Sequence, residues 1–163
     1  GADLLSGGVP CYGVYATADG RHMAVGALEK KFWELLCDTL ERPDLKPFHL
    51  AFGAKGEKAK QELAAVFAGQ PQSHWIEKFA GVDCCVTPVL TIAEALDNEQ
   101  LQARGMVVEA DGIPQLAPPY KLSDYEFSIE RNAPAPGQHS EDILREAGFD
   151  ADAIDQLRRQ GII

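Results

Sequence analysis

Basic residues are in short supply: 15 Lys and Arg stand against 25 Asp and Glu, leaving a formal net charge of −10. An acidic surface repels phosphate backbones, and no basic stripe interrupts it. No nucleic-acid partner is therefore expected, and anionic membranes are disfavoured. Long apolar runs are missing as well; none approaches the roughly 18 residues that a membrane helix needs. No secretory signal pattern is present, which predicts a cytoplasmic protein. Cysteine is sparse, with Cys11, Cys37, Cys84 and Cys85 as the full set. No C-x-x-C pair occurs, and adjacent Cys84 and Cys85 cannot bridge without a strained peptide, so buried reduced thiols are expected. His22, His49, His74 and His139 stand at no metal-ligand spacing, so no metal is predicted. An initiating Met is also lacking, and the Gly1 start reads as a trimmed end.

What is there is an ordinary globular composition, 45% hydrophobic and 25% charged over 163 residues. That is enough for one core, or for one small domain with an appendage. The pattern predicts an α+β fold: β-hairpins and a short sheet packed by several helices, then an irregular linker and a short helical tail. After a lead-in loop anchored by Leu4 and Leu5, apolar and polar residues alternate over 12–17. Asp19-Gly20 turns the chain, and a second apolar strand runs over 23–28. Helical stripes follow over 30–40 (Phe32, Trp33, Leu36, Leu40) and 57–67 (Leu63, Val66, Phe67), separated by a loop at 44–55. A third helix starts at Pro71 and brings Trp75 near Phe79. The run 84–90 reads as a buried strand that must bend at Pro88 or lie at an edge. Thr91 and Glu94 form a capping-box pattern opening the next helix.

Residues 106–110 and 113–116 flank Asp111-Gly112 as a second hairpin. Beyond Pro118 the character changes, with a proline-punctuated stretch to Pro136. Two short helices close the chain, capped by Ser140 and Asp150. The expected division is therefore 1–117, a compact α+β unit, and 118–163, a tail with too few apolar positions to fold alone.

The stretch 6–33 carries the chemistry. Paired glycines, Gly7 and Gly8, lead into Tyr12, and Glu29 stands where strand gives way to helix. Locally this is equally a hairpin and helix whose first-turn carboxylate suits the dipole. The motifs Gly7-Gly8-x-Pro10-x-Tyr12-x-x-Tyr15-x-Thr17-x-Asp19-Gly20 and Ala24-Val25-Gly26-Ala27-x-Glu29-x-x-Phe32 resemble the central part of family III coenzyme A transferases, nearest the α-methylacyl-CoA racemase branch. Cys85-Val86-Thr87-Pro88-Val89-Leu90 with Glu94, then Arg104-Gly105, continue the likeness. Gly137-Gln138-His139-Ser140 with Gly148-Phe149 completes it, so that it covers nearly the whole chain.

The resemblance implies an interlocked homodimer. Each subunit has a large CoA-binding domain, a small α+β domain and a C-terminal segment returning to the large one. This chain would be the small domain and that segment, with the N-terminal large domain as its partner and little activity without it. The substrate implied is an acyl-CoA thioester, in fatty acid metabolism, with no further cofactor. Racemases of the family shift the α-proton through an enolate, and Glu29 matches the carboxylate that supports a histidine base of the large domain. Transferases instead use an aspartate nucleophile of the large domain and cover the intermediates with a glycine loop, which Gly7 and Gly8 match in place though short. Tyr12 matches a residue lining the acyl pocket, or packs in the hairpin. His139, Asp83, Trp75 and the Cys84–Cys85 pair are read as structural. A non-catalytic binding or dimerisation module is the alternative of another class, against which the retained Glu29 argues.

Overall fold

The computed structural model describes residues 3–110, 112–129 and 133–163. They form two compact units, Gly1–Thr91 and Ile92–Ile163, so the division expected at 117/118 lies within the second.

In the first unit, strands β1 (Tyr12–Ala16), β2 (His22–Gly26) and β3 (Val86–Pro88) build one antiparallel sheet in the order β1-β2-β3. The Asp19-Gly20 turn joins β1 to β2 as expected, with Gly20 at φ +76°. The register pairs Tyr12 with Gly26, Val14 with Ala24, and Ala24 with Thr87. Because side chains alternate across a strand, the intervening Tyr15, Met23, Val25 and Val86 form the other face, and all four are buried. Pro88 is tolerated because β3 lies at the sheet edge.

Helices α1 (Lys30–Thr39), α2 (Gly53–Phe67) and α3 (Gln72–Lys78) supply the rest of the core. Phe67 sits at its centre, stacked on Tyr15 at 5.4 Å and meeting Trp75 edge-on at 5.1 Å. The indole of Trp75 donates to the Phe67 carbonyl at 2.9 Å, and that of Trp33 to the Lys46 carbonyl at 3.1 Å, so neither ring buries an unpaired donor. Each fully buried large apolar side chain contributes about 1.5–3 kcal/mol.

One polar bridge ties turn, sheet and helix together. Asp19 accepts from the Thr17 hydroxyl and from the Gln72 amide N–H (3.1 Å), which holds its carboxyl below the usual range. The buried Gln72 side chain donates to the carbonyls of His22 (2.7 Å) and Val89 (3.1 Å).

Several expectations need correction. The loop at 44–55 is instead a 3-10 turn over Pro43–Phe48, and α2 begins a turn early. Gly56 there is buried, and a Cβ at that position would stand 2.0 Å from the Ala51 carbonyl oxygen. Leu4 and Leu5 are exposed on a 3-10 turn, Leu4–Ser6, and are not part of the buried core. Cys11, Cys37 and Cys84 are buried thiols, but Cys85 is exposed, at a left-handed φ of 57°.

The second unit holds α4 (Ile92–Leu96), α5 (Glu99–Ala103), a two-stranded ribbon of β4 (Val107–Ala110) and β5 (Ile113–Leu116), α6 (Ser140–Glu146) and α7 (Ala151–Arg159). Asn98 caps α5, accepting from Gln100 N–H at 3.0 Å, and Asp150 caps α7, accepting from Ala153 N–H at 2.8 Å. Ser140 is the first residue of α6 and not its cap; His139 takes that place without a side-chain bond. Asp111 of the expected hairpin turn lies outside the described residues. No helix among the described residues is long and apolar enough to cross a membrane.

Candidate functional site

The open face of the first unit's sheet carries a cleft of about 640 Å³. Its floor is the outward row Tyr12, Val14, Ala24, Gly26 and Thr87, with Cys85 beside Gly26 and Leu5, Ser6 and Gly7 as one wall; Lys60 of α2 also lines it. Small residues keep the floor low: Gly26 and Ala24 are only half-buried, and Val14 is 61% exposed.

The glycine wall is fixed in place. Gly8 N–H donates to the Asp3 carbonyl at 2.9 Å, and Gly7 takes a φ of +89° that favours glycine. Tyr12 N–H reaches the Val9 carbonyl at 3.3 Å. The buried Tyr15 hydroxyl donates to the Pro10 carbonyl at 2.6 Å, and burial pushes its pKa up, so it stays a neutral donor. Two ties thus hold the segment 9–10 to β1, and a third closes the loop at Asp3 and Gly8.

Glu29 follows from the chain path. Leu28 N–H turns back to the Gly26 carbonyl at 2.9 Å, and the Glu29 carbonyl then accepts from Phe32 and Trp33 N–H, opening α1. Glu29 is therefore the N-cap residue and not, as expected, in the first turn. Its exposed carboxylate makes no cap hydrogen bond. Its charge reaches the thiol of Cys85. Desolvation first, then the charges of Asp83 and Glu29, raise that thiol, while Lys31 lowers it.

Of the sequence-predicted residues, then, Gly7 and Tyr12 line the cleft. Glu29 is exposed and does not line it, though its charge reaches Cys85, and Gly8 fixes the wall without lining it. Sequence reasoning missed Cys85, Gly26, Thr87 and Lys60. A glycine inside a strand was the available signal for Gly26, whereas Cys85 arrives only through the long-range pairing of β3.

Trp75 is a core residue as expected. Among the described residues no three His, Cys, Asp or Glu side chains gather as metal ligands. A larger hollow of about 810 Å³ lies in the second unit, walled by Tyr120, Tyr125 and Phe127, but none of the predicted site residues reaches it.

Comparison with known proteins adds the chemistry. The model of CoA-transferase family III matches residues 3–140. The chain is 39% identical over 167 residues to "Alpha-methylacyl-CoA racemase" of Homo sapiens, covering 100% of this chain and 43% of that protein. It is 26% identical over 169 residues to "Succinyl-CoA:glutarate CoA-transferase" of Mus musculus, covering 96% of this chain and 38% of that protein. The crystal structure of Rv3272 from M. tuberculosis superposes with a TM-score of 0.60 at 19% identity, over 82% of this chain and 40% of that one. The chain thus spans less than half the length of these relatives, and the structural likeness is one of fold.

Proposed function

The chain belongs to CoA-transferase family III, and from that premise we propose that it is the small-domain part of a 2-methylacyl-CoA racemase. The observation that carries this reading is 39% identity to a racemase across the whole of the chain. The open cleft, with the charge of Glu29 reaching its Cys85, supports it in chemical terms.

The substrate in this reading is a coenzyme A thioester. Its carbonyl acidifies the α-carbon by spreading the developing charge into an enolate, so the chemistry calls on no metal or further cofactor. One base takes the α-proton from one face. The conjugate acid of a second returns a proton to the other, and the net change is inversion alone. Glu29 would orient and charge-stabilise an imidazole contributed by the N-terminal large domain of the same protein. Its position suits that task because its carboxylate is not spent on capping α1. Tyr12 and Gly7 would border the acyl group, and the interlocked homodimer would assemble the site.

A transferase is the second reading, favoured by relatives such as the succinyl-CoA:glutarate enzyme. There an aspartate of the large domain would attack the thioester and pass CoA to another carboxylate. One experiment separates the two. The full-length protein is incubated with a single epimer of a 2-methylacyl-CoA in deuterated water, with and without a free carboxylic acid. Deuterium at the α-carbon with loss of configuration is expected. Transfer of CoA to the added acid without α-exchange would replace the racemase by the transferase.

A further inference from the structure

Among the described residues nothing requires position 26 to be a glycine. Its φ lies outside the left-handed region that Gly7 occupies. A Cβ built there would meet only the Cys85 carbonyl oxygen at 3.7 Å and the Cys85 Cβ at 3.9 Å, ordinary contact distances. Glycine inside a strand weakens it, and its presence there commonly marks close approach of something else. Here the missing side chain belongs to the outward face, in the row between Tyr12 on β1 and Cys85 beside β3. Its absence deepens the cleft between them.

We infer that Gly26 sets substrate size: the acyl chain of the thioester crosses the bare backbone at this position, between Tyr12 and Cys85. This rests on the racemase reading and adds to it where the acyl group lies and which residue limits its bulk. The lining favours an aliphatic occupant, since Val14, Ala24 and the ring of Tyr12 offer apolar surface over a half-open floor. A carbon chain gains by covering such surface in proportion to its area. A side chain at position 26 takes the same space and shortens the chain that can be accepted.

The test uses the full-length protein carrying Gly26→Ala or Gly26→Val, assayed for α-deuterium exchange on 2-methylbutanoyl-CoA and 2-methyldecanoyl-CoA, with melting temperature measured alongside. A merely structural glycine predicts lower melting and equal loss on both thioesters. The inference predicts melting at or above that of the parent protein, because Ala and Val suit a strand better than Gly. It also predicts a fall of about tenfold or more in the long-to-short ratio of kcat/KM for Gly26→Val, with Gly26→Ala between. An unchanged ratio with intact melting would overturn it. So would lower melting with an unchanged ratio, which would mean that protein rather than ligand covers this face. If the parent protein exchanges neither thioester, the racemase reading fails first and takes the inference with it.

Discussion

The two units of the chain stand in contrast. Among the described residues, Gly1–Thr91 clusters eighteen buried hydrophobic side chains, Phe67 among them, while in Ile92–Ile163 only Ile154 is one. The second unit exposes its large side chains instead, Ile92 at 81%, Tyr120 at 66% and Leu116 at 65%. Its ribbon has two strands and its helices are of five to nine residues. Such elements are marginal in isolation. Local bonds mark it, among them the Asn98 and Asp150 caps and the Arg145–Glu141 pair. The lesson is that a site needing fixed geometry sits where a sheet has one face fully packed. The other face is then free to be a cleft.

The contrast can be broken or sharpened by mutation. Phe67→Ala should cost about 3–5 kcal/mol by emptying the centre of the first unit, read from the denaturant midpoint of tryptophan fluorescence, since Trp33 and Trp75 both report there. A cost under about 1 kcal/mol would mean that this core is not the support claimed. Gly56→Ala should cost about 1–3 kcal/mol, because its Cβ has no room beside Ala51; hydrogen exchange should show the loss at the start of α2. In the parent chain, amides of β1 to β3 should exchange more slowly than those of β4 and β5. Equal protection would erase the distinction between the units.

Acid should act on the first unit through Asp19. Its folded pKa is depressed by the Thr17 hydroxyl and the Gln72 N–H. The stability it adds is complete above the unfolded value of about 3.9 and is lost as pH falls from there through the folded value. Asp19→Asn should therefore lower the urea midpoint at pH 6 and leave it little changed at the lowest pH where the chain still folds. A constant difference across that range would contradict the assignment. The smallest effect concerns Cys85. Glu29→Gln removes one of the charges that raise this thiol, so alkylation at pH 8 should quicken by about twofold. An unchanged rate would separate Glu29 from the cleft.

Much of the first unit was legible in the sequence because its signals are local. Alternation over β1 and β2, Asp19-Gly20 between them, and the stripe of α1 each act within a few residues. Leu4 and Leu5 misled because apolar character alone does not say what is available to cover it. The 3-10 turn at Pro43–Phe48 and the early start of α2 were hidden by their Pro and Gly residues, which read as loop. At the site, Gly7 and Tyr12 are near neighbours in the chain and line the same cleft. Cys85 and Thr87 join them by pairing across some sixty residues, which no local signal encodes.

The claim on which the functional account turns is that Glu29 serves the reacting carbon without holding the CoA. It is tested by measuring α-deuterium exchange on a 2-methylacyl-CoA, with acyl-CoA affinity, in full-length protein carrying Glu29→Gln. Exchange should fall about 100-fold or more, with the dissociation constant within about twofold. Exchange close to that of the parent protein would contradict the account.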